Sequence, residues 1–206
     1  MGNLNIQSTT IEKSLELATN FLDKLTGSSV KEMGLLFNDN VKLWRLKNQI
    51  RNLEKVKKLV SKKGLELKHV NLKVLLPYLE GVSLETDDFL QDKWANLLTN
   101  YIDSSKNLKI AVYPGILKQL STNEVKILEY TKNYNLFYGN HFNAKNNKDN
   151  FKGSNEEIAN LERLGLIKEV VEISKYGDGH SDYEELVSDE YYITPFGKEL
   201  IRACMN

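Results

Sequence analysis

Side chains that commonly do chemistry are few in this sequence and poorly spaced for it. The three histidines, His69, His141 and His180, are isolated from one another, and none has a metal-ligating partner at helical spacing. The single cysteine, Cys204, sits on the apolar face of the last predicted helix, which suits a core residue rather than a nucleophile. One thiol also excludes a disulfide scaffold and a cysteine-based zinc site, and it fits a reducing compartment such as the cytoplasm. No phosphate-binding loop, dinucleotide fingerprint or nucleophile elbow is present. Gly177-Asp178-Gly179 has the composition of a hairpin turn. Asp87, Asp88 and Asp92 share one predicted helix and could in principle hold a divalent cation, although acids near a helix start ordinarily answer the helix dipole. The expectation is a protein that is not an enzyme, with no catalytic residue, no metal and no cofactor.

Charge is more informative. The 206 residues carry 28 basic and 28 acidic side chains, yet the signs are segregated. Residues 42–73 hold eleven Lys/Arg against two Glu, a net of +9, and residues 154–192 hold eleven acids against three bases, a net of −8. Such asymmetry bears on partners or on docking within the chain itself, onto its own acidic wing, the alternative being two solvated helix faces. Arg45, Arg51, Lys55, Lys58, Lys62 and Lys63 are the candidate contact residues of the basic stretch. Their partner would be an acidic protein surface or the acidic segment of another subunit, with nucleic acid or anionic lipid as alternatives. No aromatic interleaving supports base stacking.

The elements that position these charges follow from periodicity. With 41% apolar residues the chain can build a core, and no run approaches the length of a spanning helix. No basic segment followed by an apolar one marks a signal peptide. Residues 1–8 read as a polar tail, and Thr9 to Glu12 as a capping box that opens a helix to about Leu25. Val30–Phe37 reads as a short apolar helix. The next helix runs from about Val41 to Lys63 and stops at Gly64, with a seam of Leu43, Leu46, Ile50, Leu53 and Val60. Leu72–Leu79 is an apolar helix containing Pro77. Thr86 is expected to cap a helix to about Asp103 that buries Leu90, Trp94, Leu97, Leu98 and Tyr101, with Asn96, Asn100 and Asp103 on the other side.

The pattern changes at Tyr113-Pro114-Gly115. Capping boxes at Ser121–Glu124 and Ser154–Glu157 open two more helices, separated by a polar loop over 139–153. Leu166–Ile173 reads as a strand and Tyr191–Ile193 as its return, with strands expected only near 166–173 and 187–193. Thr194-Pro195 opens the last helix. The fold class is therefore mainly α: an N-terminal helical domain over 9–110, then a winged-helix-like domain over 111–206 with a two-stranded wing. The helix in the recognition position, Ser154–Leu164, has three Glu and one Arg, and the wing, Ser174–Glu190, has six acids and one Lys. A duplex reader needs cations there, so this module is not expected to bind DNA.

Several stretches together resemble one family: Val41–Gln49, Leu75–Glu80, Gln91–Leu98 with its Trp94-Ala95-Asn96-Leu97-Leu98, Tyr113–Ser121, Asn160–Ile167 and Ile193–Gly197. Over about residues 30–204 the chain resembles the abortive infection alpha family of bacteria. That resemblance implies a cytoplasmic protein connected with phage resistance, and it brings no catalytic residues to transfer. Trp44 and Trp94, each on or beside an apolar stripe, are expected as core anchors, with Pro114 and Pro195 as further structural anchors. Asn96 either hydrogen-bonds within the fold or contacts a partner, the structural role being favoured.

Overall fold

The computed structural model describes residues 4–27, 43–132, 142–143, 154–175 and 183–205. The expected helix over Val30–Phe37 lies outside them. The chain forms two compact units, one running to Gln119 and regaining the chain at Ala203, the other Leu120–Arg202.

The first unit is helical: α1 (Leu4–Thr26), α2 (Leu43–Lys63), α3 (Leu72–Leu84), α4 (Asp88–Ile102) and the short α5 (Tyr113–Leu117). α1 starts before the expected cap at Thr9, so residues 1–8 are not wholly a tail. Leu4 precedes Ile11 by one heptad, so the apolar stripe continues backward through the box. Gly27 (φ 68°) ends α1, and Gly64 (φ 60°) ends α2 where expected. α3 runs past its expected end at Leu79 to Leu84, with Pro77 inside it. Asn71 caps α3 by accepting a hydrogen bond from the Lys73 N–H at 2.8 Å.

α4 is the central helix of this unit, packed by α2, α3 and α5. Its cap is Asp87 rather than Thr86: the carboxylate accepts from Phe89 N at 2.7 Å and Leu90 N at 3.1 Å, so one residue satisfies two helix-start donors. Trp94 is 1% exposed and meets Tyr78 edge to face, with ring centroids 5.6 Å apart. Asn100 and Asp103, expected on the open side of α4, are both buried. Being surrounded, α4 satisfies them internally: Asn100 Nδ2 donates to the Ala203 carbonyl at 2.7 Å, and the Asp103 carboxylate accepts from Ser105 N at 2.9 Å. Pro114 is buried at the start of α5. α5 packs on α3 and α4 and so clusters with the first unit.

The second unit is α6 (Thr122–Lys132), β1 (Phe142–Asn143), α7 (Asn155–Arg163), β2 (Ile167–Lys175), β3 (Tyr183–Ile193) and most of α8 (Pro195–Cys204). The two-stranded wing is present as the antiparallel β2–β3 pair, from Ile167 opposite Ile193 to Lys175 opposite Tyr183. Two corrections apply to the strands. β1, inside the stretch expected to be loop, adds a third short strand, Phe142 opposite Tyr191. β3 begins at Tyr183, because the ladder with β2 overrides the low strand preference of its acids.

The two capping boxes expected in this unit form, and they are wired to each other. Glu124 accepts from Ser121 N at 2.6 Å and from Asn160 Nδ2 at 2.6 Å. Glu157 accepts from Ser154 N at 2.9 Å and from Asn123 Nδ2 at 2.7 Å. Each glutamate thus closes its own helix and ties α6 to α7. α7 ends in a Schellman motif on Gly165 (φ 68°), with Leu166 N donating to the Leu161 carbonyl at 2.9 Å. Thr194 Oγ1 accepts from Gly197 N at 3.0 Å and caps α8. A side chain at Gly197 would collide with the Leu166 carbonyl, so glycine lets α8 approach the start of β2. Pro195 is exposed and anchors α8 through its first-turn position rather than by burial.

Candidate functional site

The candidate contact residues lie on α2, whose packing decides which of them are available. The expected seam is only partly the buried face. Ile50 and Leu53 are buried, together with Val56, while Leu46 and Val60 are half-buried. Three amides join them in the interior: Asn48, Gln49 and Asn52, the last 0% exposed. α2 has neighbours on more than one side, so its buried arc is wider than one heptad stripe.

These amides tie α2 to the C-terminal half of α3 and the first turn of α4. Asn48 Nδ2 donates to the Ser83 carbonyl at 3.1 Å, and Gln49 Nε2 to the Leu79 carbonyl at 3.0 Å. Asn52 Nδ2 donates to the Gln91 carbonyl at 2.8 Å, and the Tyr78 hydroxyl donates to Asn52 Oδ1. Gln91 Nε2 then donates to the Glu85 carbonyl at 2.9 Å. Helix ends leave carbonyls without intrahelical partners, and here Asn48 of α2 and Gln91 of α4 supply donors to Ser83 and Glu85. Burial pushes the Tyr78 hydroxyl well above its ordinary pKa, so it stays a neutral donor. In the sequence Asn48, Gln49, Tyr78 and Gln91 stand only inside the stretches of family resemblance, and Asn52 and Ser83 carry no such mark. The signal was amides at i, i+1 and i+4 on one helix face.

The six candidate cations of α2 separate into two groups, while Lys47 and Lys57 are exposed as well. Arg45 Nε donates to Ser83 Oγ at 3.0 Å. Arg51 pairs with Asp88, and Lys55 lies 3.1 Å from Asp88 and 2.5 Å from Asp92. Burial works against the charge of Lys55, but its hydrogen bonds to Asp92 and Asp88 outweigh that and raise its pKa. The hydrogen bond from Lys55 in turn lowers that of Asp88, with help from Arg51. Asp88 and Asp92 are therefore counter-ions of α2 and Asp87 is a helix cap. Among the described residues no cluster of acids, histidines and cysteine stands ready for a metal ion. Lys58, Lys62 and Lys63, in contrast, are exposed on the last two turns of α2, and no carboxylate among the described residues pairs with them.

Trp44 is a correction. It is 48% exposed at the start of α2, because the buried arc of that helix turns Asn48, Gln49 and Asn52 inward and leaves position 44 outside. Asn96 is half-buried on α4, outside the amide network. Cys204 is buried, and burial pushes its thiol far above the ordinary range, so it is no nucleophile in this fold. His69 lies under Gly27, where a Cβ would fall 2.7 Å from its Cε1.

With this arrangement in view, comparison with known proteins is decisive for lineage. A family model described as abortive infection alpha matches residues 39–204. The chain belongs to the abortive infection alpha family. No curated protein and no solved structure matches it. The stretches through which it resembles the abortive infection alpha family sit largely at packing positions: Gln49 and Gln91 in the amide network, Trp94 in the core, Gly165 and Gly197 where helix and strand ends meet. No helix among the described residues is long and apolar enough to cross a membrane.

Proposed function

We propose that this abortive infection alpha protein acts in phage defence without catalysis, in the bacterial cytoplasm, through a macromolecular contact made by the distal half of α2. The observation that carries this reading is the division of the α2 cations. Arg51 and Lys55 are neutralised by Asp88 and Asp92, whereas Lys58, Lys62 and Lys63 stay exposed on the same helix. Like charges held on one rigid helix repel, and a complementary acidic surface offsets that repulsion. The partner is an acidic protein or the acidic wing of a second copy, whose segment 154–192 carries net −8. The C-terminal module is a winged-helix-like packing domain rather than a duplex reader. Glu156 and Glu162 of α7 are exposed where phosphate would approach.

The test is the combined variant Lys58→Gln, Lys62→Gln, Lys63→Gln, assayed for phage protection and for association state. One exposed contact is worth under ~1 kcal/mol, so the three are changed together. Loss of protection at unchanged thermal stability supports the reading. A folded variant that protects fully and associates as the parent does overturns it. Salt-steep binding of duplex DNA by the parent, absent in the variant, would favour nucleic acid as the partner instead.

A further inference from the structure

A second cationic feature lies in the first unit, away from the exposed lysines of α2. The segments 65–71 and 103–112 are held together by an isolated bridge between Leu67 and Asp103. Lys68 N donates to the Ile102 carbonyl at 2.8 Å, and Ser104 N to the Glu66 carbonyl at 2.9 Å. Between these segments and the start of α3 is an open cleft of about 670 Å³. That is the size range of clefts that hold small organic ligands.

Its lining is unusual in charge. Lys68, Lys106 and Lys109 line it with His69, and no acidic side chain does. Two of the ammonium groups are held in place. Lys68 Nζ donates to the Lys106 carbonyl, and Lys106 Nζ donates to Asn100 Oδ1 at 2.6 Å. The acid whose field these lysines share is Asp103. Its carboxylate is occupied by Ser105, at 2.9 Å from N and 2.6 Å from Oγ. Three lysines and no acidic side chain line the cleft, so its wall carries net positive charge. Ser104 and Asn107 add neutral hydrogen-bonding groups, while Val70, Val74 and Leu108 form an apolar wall. The amide end of α3 is already closed by Asn71, so the lysines carry the preference for an anion.

We propose that this cleft binds a nucleoside phosphate, with the phosphates on Lys68, Lys106 and Lys109 and the nucleoside against Val70, Val74 and Leu108. Three cations beside an apolar wall match a ligand that is anionic at one end and flat and weakly polar at the other. This assignment is independent of the α2 contact surface.

The experiment is thermal shift and calorimetric titration of the full chain with ATP, adenosine and inorganic tripolyphosphate at constant ionic strength. ATP is expected to stabilise the protein by mass action and to bind more tightly than either of the others. Lys109→Glu, at an exposed position, is expected to keep the parent's melting temperature and to weaken ATP by about tenfold or more. Lys47→Glu, at an exposed position near the start of α2 and outside both proposed surfaces, serves as the control for a non-local charge effect and should leave ATP binding unchanged. The proposal fails if ATP neither binds nor stabilises, or if Lys109→Glu and Lys47→Glu weaken it equally. Tripolyphosphate binding as tightly as ATP would show that the apolar wall contributes nothing, which overturns the assignment to a nucleoside.

Discussion

Trp94 fills the space that a side chain at Gly81 would need. A Cβ placed on Gly81 would fall 2.7 Å from the indole Cζ2, closer than real side chains pack. Glycine inside a helix ordinarily costs stability, and here it lets α3 approach the largest fully buried side chain of the molecule's described core. α3 runs through Gly81, past its expected end at Leu79.

Gly81→Ala should therefore destabilise, although alanine is the better helix former. Overpacking of this kind costs about 1–3 kcal/mol, against a gain of roughly 1 kcal/mol from helix propensity. Urea unfolding of Gly81→Ala, Trp94→Leu and the double variant measures it. The double variant should be more stable than the sum of the singles, because the smaller side chain frees the space. An increase in stability for Gly81→Ala alone would show that the indole moves aside without cost.

Asn52 is expected to be worth more than its own hydrogen bonds. Replacing it with leucine keeps the heavy-atom branching of asparagine but leaves the Tyr78 hydroxyl and the Gln91 side chain short of a partner in a buried site. Each buried polar group left unsatisfied costs about 1–3 kcal/mol. Adding Tyr78→Phe removes one of those orphans, so the double variant should recover part of the loss. Chemical denaturation of both singles and the double supplies the cycle, and strict additivity would mean that water or a rearrangement satisfies the hydroxyl.

The link between α2 and α4 should show in the pH dependence of stability. The pKa of Asp88 is lowered below 3.8 in the fold, so its contribution is present above that value and disappears as pH falls through the folded-state pKa. That of Lys55 is raised above 10.5, so its contribution is present below that value and disappears as pH rises through the folded-state pKa. The difference in melting temperature between the parent and Asp88→Asn should thus be level from about pH 5 to 9 and shrink at acid pH. Both groups are solvent-accessible, so the difference should be small and should fall in about 1 M salt. A difference that persists unchanged at acid pH would assign the effect to something other than this ion pair.

Much of this molecule was settled by local sequence. Gly64 ended α2, the serine boxes at Ser121 and Ser154 opened α6 and α7, and Thr194-Pro195 opened α8, because caps act over a few neighbouring residues and need no tertiary partner. The burial of Trp94 and the order of helices followed by a two-stranded wing were likewise legible, since apolar periodicity is set by the helix itself. Tertiary structure decided what α2 does. Its sequence shows one row of lysines and arginines, but only the approach of α4 puts Asp88 and Asp92 beside Arg51 and Lys55 and leaves Lys58, Lys62 and Lys63 outside. The same approach, with that of α3, turns Asn48, Gln49 and Asn52 into donors for another helix's carbonyls and leaves Trp44 in solvent. Strand β1 and the lysine cleft were hidden for the same reason. Hydrogen-bond partners and opposing charges distant in sequence become neighbours only when the chain packs, and periodicity along one element carries no record of what lies across from it.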